Sequence, residues 1–144
     1  MGTSNYLDDW GCLNIDGTVV VGCFDDLIPE GGYVKIPEGV TKIGMEAFKS
    51  CSRLTSVTIP EGVTSIEAYT FNGCDLEAVA LPRSVRRFGY HAFSGCRRLT
   101  VYYAGKEVNW RCISQELDVF EPEAKVCYNW QGPAPGDVVR ERPL

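Results

Sequence analysis

At 144 residues the chain is long enough to bury the core of one domain without the disulfide or metal staples that scaffolds below roughly 70 to 80 residues need. Its 44% apolar and 23% charged composition excludes a wholly disordered chain. A net charge of -5 argues against direct nucleic-acid binding through phosphate neutralisation, and no apolar run approaches the ~18 residues of a membrane-inserted helix.

In chain order, residues 1–11 carry neither the basic start nor the apolar stretch of an export signal, which predicts a cytoplasmic location. A cell-surface or secreted location is the alternative if the sequence is a piece of a longer one. Cys12-Leu13-Asn14-Ile15 and Thr18-Val19-Val20-Val21 flank Asp16-Gly17, a strong hairpin signal, and predict an N-terminal cap within residues 1–30. Gly32-Tyr33-Val34-Lys35-Ile36 predicts the first inner strand.

A repeat follows. Ile36-Pro37-Glu38-Gly39-Val40-Thr41 recurs 23 residues later as Ile59-Pro60-Glu61-Gly62-Val63-Thr64, and a weaker copy opens at Leu81-Pro82-Arg83-Ser84-Val85. The columns Ile43, Ile66, Phe88; Phe48, Phe71, Phe93; Cys51, Cys74, Cys96; and Leu54, Leu76, Leu99 repeat in register. This period falls in the leucine-rich-repeat range and outside those of ankyrin, tetratricopeptide and propeller repeats. Leu54-Thr55-Ser56-Val57-Thr58-Ile59 follows L-x-x-L-x-L and predicts a strand with Leu54, Val57 and Ile59 pointing into the coil; Leu76, Val79 and Leu81 match. Proline after each strand ends the ladder because it has no N–H to donate, and the following Glu-Gly makes a turn. The Ala-Phe pair in residues 45–48 predicts a single helical turn on the outer wall, where Phe48, Phe71 and Phe93 stack.

Leu99-Thr100-Val101-Tyr102-Tyr103 predicts a fourth rung. A short helix over residues 107–113, carrying Trp110, and a strand over 124–128 close the array. Residues 131–144, rich in Gly and Pro, predict a flexible tail.

These residues resemble the BspA-like leucine-rich repeats of bacteria and some protists, whose coils run roughly IPxxVTxIxxxAFxxCxxLxxV, from about Asp16 to Tyr128. Even Val101-Tyr102-Tyr103-Ala104-Gly105 followed by Trp110 resembles their closing coil. The fold class expected is an α/β repeat: a short leucine-rich-repeat solenoid forming one domain over residues 1–130. It comprises a hairpin cap (1–30), repeats (31–103) with inner parallel strands and helical turns outside, and a helix-strand closing coil (104–130). The resemblance implies an adhesive or protein-binding module with no catalytic residues.

The chemistry-bearing residues agree with a non-enzymatic reading without cofactor or metal. There is no C-x-x-C among seven cysteines, and Cys51, Cys74 and Cys96 fall in one repeat column, so buried reduced thiols are expected. Cys12 and Cys23 would lie diagonally on one hairpin face, which leaves a bridge between them open. The single histidine, His91, aligns with Glu46 and Tyr69 in a variable column and reads as solvent-facing. Asp8-Asp9 and Asp25-Asp26 sit in no calcium-loop frame and read as loop charge.

Binding is expected on the inner wall, at positions between the inward ones. Of these, Tyr33, Lys35, Thr58, Val101, Tyr103, Val126 and Tyr128 form the candidate partner site, with packing under the crossover or the tail as the competing explanation. Arg83, Arg86, Arg87, Arg97 and Arg98 form a candidate secondary basic patch that would steer an acidic partner. A protein partner is expected, with self-association left open. Two uses fit: an intracellular antagonist or adaptor of phage or mobile-element type, or a bacterial cell-surface adhesion module.

Overall fold

A computed structural model describes residues 5, 6 and 11–135 of the chain. The Asp8-Asp9 pair and residues 136–144 of the expected tail lie outside the described residues. The elements run β1 (Asn5–Tyr6), β2 (Leu13–Asp16), β3 (Val19–Cys23), a 3-10 turn (Asp25–Leu27), β4 (Tyr33–Lys35), β5 (Lys42–Ile43), β6 (Ser56–Thr58) and β7 (Ser65–Ile66). Then follow β8 (Ala78–Leu81), β9 (Arg87–Phe88), β10 (Thr100–Tyr103), α1 (Glu107–Arg111), β11 (Ser114–Gln115) and β12 (Lys125–Cys127).

The chain winds as a β-solenoid with three walls. One is a parallel sheet of five rungs, β12-β10-β8-β6-β4. Its register puts Val34, Val57, Val79, Val101 and Val126 in one row pointing into the coil. The first four are fully buried, each contributing about 1.5 to 3 kcal/mol relative to exposure. Ile36 and Ile59 still donate to Thr58 and Ala80 of the next rung, and the ladder stops one residue later because Pro37 and Pro60 have no N–H.

The second wall was not foreseen. It is the seven-stranded sheet β1-β2-β3-β5-β7-β9-β11, in which the N-terminal hairpin continues as parallel two-residue rungs. The hairpin forms where expected, Asp16 opposite Val19, with the positive φ of 65° on Gly17 alone, as the first central position of a type II′ turn requires. Thr41, Thr64, Arg86 and Ser114 each donate a backbone N–H to the coil before, so this wall is a continuous ladder.

The third wall corrects the expected helical turn. Ala47, Lys49 and Cys51 bond three residues back, while Glu46, Phe48 and Ser50 donate to Ala68, Thr70 and Asn72 of the next coil. A helix would keep every one of those N–H groups within its own segment. Glu46, Tyr69 and His91 instead take left-handed φ values of 60°, 59° and 57°, turning alternate donors toward the neighbour. The α/β description is therefore replaced by β-solenoid: between residues 11 and 134 the helical elements are α1 and the 3-10 turn.

Inside these walls the phenylalanines stack. Phe48 to Phe71, Phe71 to Phe93 and Phe93 to Phe120 have ring centroids 5.0, 5.1 and 5.0 Å apart at 11°, 14° and 9°. Phe120, at the far end, extends the spine one coil beyond the repeats legible in the sequence.

Cys51, Cys74 and Cys96 line the same interior, with Cys74 Sγ donating to Phe48 O at 2.8 Å. Burial pushes the Cys74 thiol up and the Cys96 thiol up from 9.0 to about 12. In the unfolded chain both ionise near their ordinary pH, while the folded chain keeps their protons. Unfolding free energy is therefore expected to hold below pH 9 and fall as pH rises from about 9 to 12. Urea titrations across that window, compared with a Cys96→Ala variant, check it; an unchanged slope in the variant would remove Cys96 as a cause.

Candidate binding face

The outward face of the five-stranded sheet carries Tyr33 and Lys35 on β4, Ser56 and Thr58 on β6, Ala78 and Ala80 on β8, Thr100 and Tyr102 on β10, and Lys125 and Cys127 on β12. Tyr33, Lys35 and Thr58 stand where the sequence puts them.

The other four expected face residues do not. Val101 and Tyr103 pair with Val79 and Leu81 and are buried, 0% and 1% exposed. From Leu54 to Val57, and from Leu76 to Val79, the step is three residues; from Leu99 to Val101 it is two. One residue fewer flips every following side chain to the opposite face. Val126 follows Val101 into the interior, and Val126 and Tyr128 are half-buried and packed against the core. The ring of Tyr103 meets Trp110 at 5.1 Å, and burial holds its hydroxyl above the ordinary tyrosine range. Tyr102 is the aromatic residue that β10 presents on this face, and counting the shortened step would have found it.

The face is already occupied. After β12, Asn129 and Trp130 donate their backbone N–H groups to Gly105 O and Tyr103 O, turning the chain back across the sheet. The Trp130 ring lies 4.6 Å from Tyr102, and its Nε1 donates to Pro133 O at 3.0 Å. Ala134 is fully buried against Tyr33, Ala78 and Ala80, and its N–H donates to Thr58 Oγ1 at 2.9 Å. That same oxygen accepts from the Tyr33 hydroxyl at 2.9 Å. Residues 131–135, expected as the start of the tail, thus lie on the candidate site. A crevice of about 390 Å³ remains between Trp130, Gly132 and the sheet corner formed by Thr58, Ala80, Tyr102 and Arg83. Ser56 is 5% exposed, and among the described residues its Oγ has no hydrogen-bonding partner.

The arginines do not gather on one patch. Arg87 pairs with Glu67 at 3.2 Å and Glu116 at 3.7 Å on the seven-stranded wall. Arg98 pairs with Asp75 at 2.8 Å and Glu77 at 3.3 Å at the opposite corner, beside exposed Arg97. Arg83 and Arg86 remain together, lining a crevice of about 670 Å³ with Glu61, Ser84, Asn109 and Cys112.

Elsewhere, His91 is half-buried rather than solvent-facing, because its left-handed turn stacks it on Tyr69 at 5.3 Å and against Tyr90 at 4.0 Å. Cys23 meets the thiols of Cys12 and Cys51, and those hydrogen bonds, with burial, raise it far above the ordinary thiol range. Among the described residues, no cluster of His, Cys, Asp and Glu has the form of a metal site, and no helix is long and apolar enough to cross a membrane.

Comparison with known proteins agrees with this geometry. A family model described as the BspA type leucine rich repeat region, in six copies, matches residues 22–115. No curated protein matches the chain. Among solved structures, the chain is similar to the T. pallidum leucine rich repeat protein, with a TM-score of 0.52 at 21% identity over 86% of this chain. It is also similar to the pneumococcal vaccine antigen PcpA, with a TM-score of 0.58 at 17% identity over 90% of this chain. It spans 60% of the length of the first and 38% of the second, and at these identities the likeness is one of fold. With the model covering most of the sequence and the coil geometry in agreement, the chain belongs to the BspA-type leucine-rich-repeat family.

Proposed function

We propose that the chain is a non-catalytic protein-binding module that works through the outward face of its five-stranded sheet. One observation carries the reading: a platform of small side chains, Ser56, Ala78 and Ala80, bordered by Tyr33 and Tyr102, holds a segment that belongs to none of the coils. Aromatic borders around a desolvated centre are the usual anatomy of a protein contact. Arg83 and Arg86 beside the crevice would add steering toward an acidic partner.

Of the two uses open to such a module, antagonist or adaptor inside a cell is favoured over surface adhesion by the exposed thiols Cys112 and Cys127, which survive best in a reducing compartment. The test uses the whole chain as bait beside a Tyr102→Asp variant whose fold is checked by circular dichroism. A partner captured by the wild type and lost by the variant is the expected result. Equal capture by both would move the site off the sheet, with the Arg83 and Arg86 corner next. Tyr103→Asp cannot serve as the probe, since that side chain is in the core.

A further inference from the structure

The segment lying on the sheet has a chemistry of its own, and the sheet answers it group by group. Trp130-Gln131-Gly132-Pro133-Ala134-Pro135 places an aromatic ring four positions before a small residue held between two prolines. Prolines 133 and 135 have no N–H, so Ala134 supplies the only backbone donor of that triplet, and Thr58 Oγ1 accepts it. Beneath, the Ala134 methyl is completely buried in a cluster with Ala78, Ala80 and Tyr33. Tyr33 fixes the hydroxyl of Thr58 from one side, and Tyr102 packs at a tilt of 54° against the aromatic residue. Pro133 and Pro135 have their φ angles fixed beforehand, so seating the segment in an aromatic-bordered groove orders less chain.

The seat is incompletely filled. Among the described residues Ser56 Oγ, on the rung between Tyr33 and Ala78, finds no partner, an unsatisfied group that a better-fitting backbone would cap. The crevice of about 390 Å³ beside Trp130 and Gly132 is comparable with ligand pockets of roughly 300 Å³ and above. Among the described residues, the hydrogen bond from Ala134 N–H to Thr58 Oγ1 ties the segment after Trp130 to the sheet, and with a hydroxyl and a crevice left unused beside it the segment is a displaceable occupant.

We infer that the sheet face is a groove for a peptide of another protein with an aromatic residue followed, after a bend, by a proline-small-proline core, and that residues 130–135 occupy it as a built-in competitor. This rests on the reading of the sheet as a protein-binding face and names the partner's chemistry. The tether gives the segment a local concentration on the order of millimolar, so a free peptide has to displace it.

The probe is a fluorescein-labelled peptide with the sequence of residues 130–135, titrated by anisotropy into the full chain and into its Ala134→Gln variant, whose enlarged side chain does not fit the seat. If the segment is closed nine-tenths of the time in the wild type, the variant binds the peptide about tenfold more tightly. Adding Thr58→Val to the variant weakens that binding about fivefold or more, and a peptide with Gln in place of the alanine does not bind. Circular dichroism confirms that each variant is folded. Equal affinity for wild type and Ala134→Gln, or binding indifferent to Thr58→Val, overturns the inference. A wild type that dimerises with concentration while Ala134→Gln stays monomeric also overturns it, in favour of segment exchange between two copies. If peptide binding fails while Tyr102→Asp still abolishes capture of a protein partner, the inference falls alone. If both fail, the binding-face reading falls with it.

Discussion

Replacing Phe71 with alanine is expected to lower the unfolding free energy by about 3 to 5 kcal/mol, with the melting temperature falling by roughly 10 to 20 °C. Phe71 is fully buried and stacks on Phe48 and Phe93 at once, so its removal leaves a hole faced by two coils that have no means of collapsing together. The rungs on either wall fix the coil spacing at about 4.8 Å, and the turn ladder from Phe48 to Thr70 and from Phe71 to Ala92 fixes it again on the third wall. Relaxation into the cavity would break hydrogen bonds on three sides. Phe24→Ala is the control, since Phe24 is 45% exposed and its loss should cost less than about 1 kcal/mol. Urea unfolding of the two variants side by side decides it, and similar losses would mean the spine is not where the stability lies.

Gly89→Ala is expected to cost about 3 kcal/mol, although it adds one methyl group. A β-carbon at Gly89 would stand 2.5 Å from Ala68 N and 2.7 Å from Glu67 C, both backbone atoms of the preceding coil. No rotamer change relieves such a contact. The Gly89 N–H donates to Ile66 O at 2.7 Å, so the two coils would have to part at a closed rung of the ladder. Gly39→Ala is the contrasting case: nothing lies within 4 Å of the added atom, and only the left-handed φ of 97° opposes it. Thermal unfolding of both variants separates crowding from backbone strain; Gly89→Ala melting like the wild type would show that the coils slide freely over one another.

The period, the five inner rungs, the hairpin and α1 were legible because each rests on a chemical pattern that recurs or is local: Pro after β4, β6 and β8, a Phe and a Cys in each repeat, apolar runs at the last two rungs, Asp-Gly between apolar runs. The second wall was not, since β5, β7, β9 and β11 are two residues long and carry no periodicity of their own. The third wall was misread because an Ala-Phe pair suits a helix equally well, and nothing about Glu46, Tyr69 and His91 as residue types announces a shared left-handed turn. On the candidate site, Tyr33, Lys35 and Thr58 could be placed by alternation from Val34 and Val57. Val101 and Tyr103 could not be placed by carrying that spacing forward, because the coil had lost a residue after Leu99. The occupied state of the face left still less trace: Gly, Pro and Ala read as a loose tail, and their contact with Thr58 spans 76 positions of sequence.

The aromatic spine keeps the same interval, 5.0 to 5.1 Å, from Phe48 through to Phe120. A coil bordered above and below by the same ring in the same pose meets identical neighbours wherever in the array it stands. A tandem duplication of one 23-residue unit would therefore extend the spine without any compensating substitution inside it, while residues 130–134 would have to reach one rung farther to meet Thr58 and Tyr33. Length in such a protein is a quantity that recombination can change in whole steps, separately from the identity of either cap, and the groove would gain one rung of width with every step.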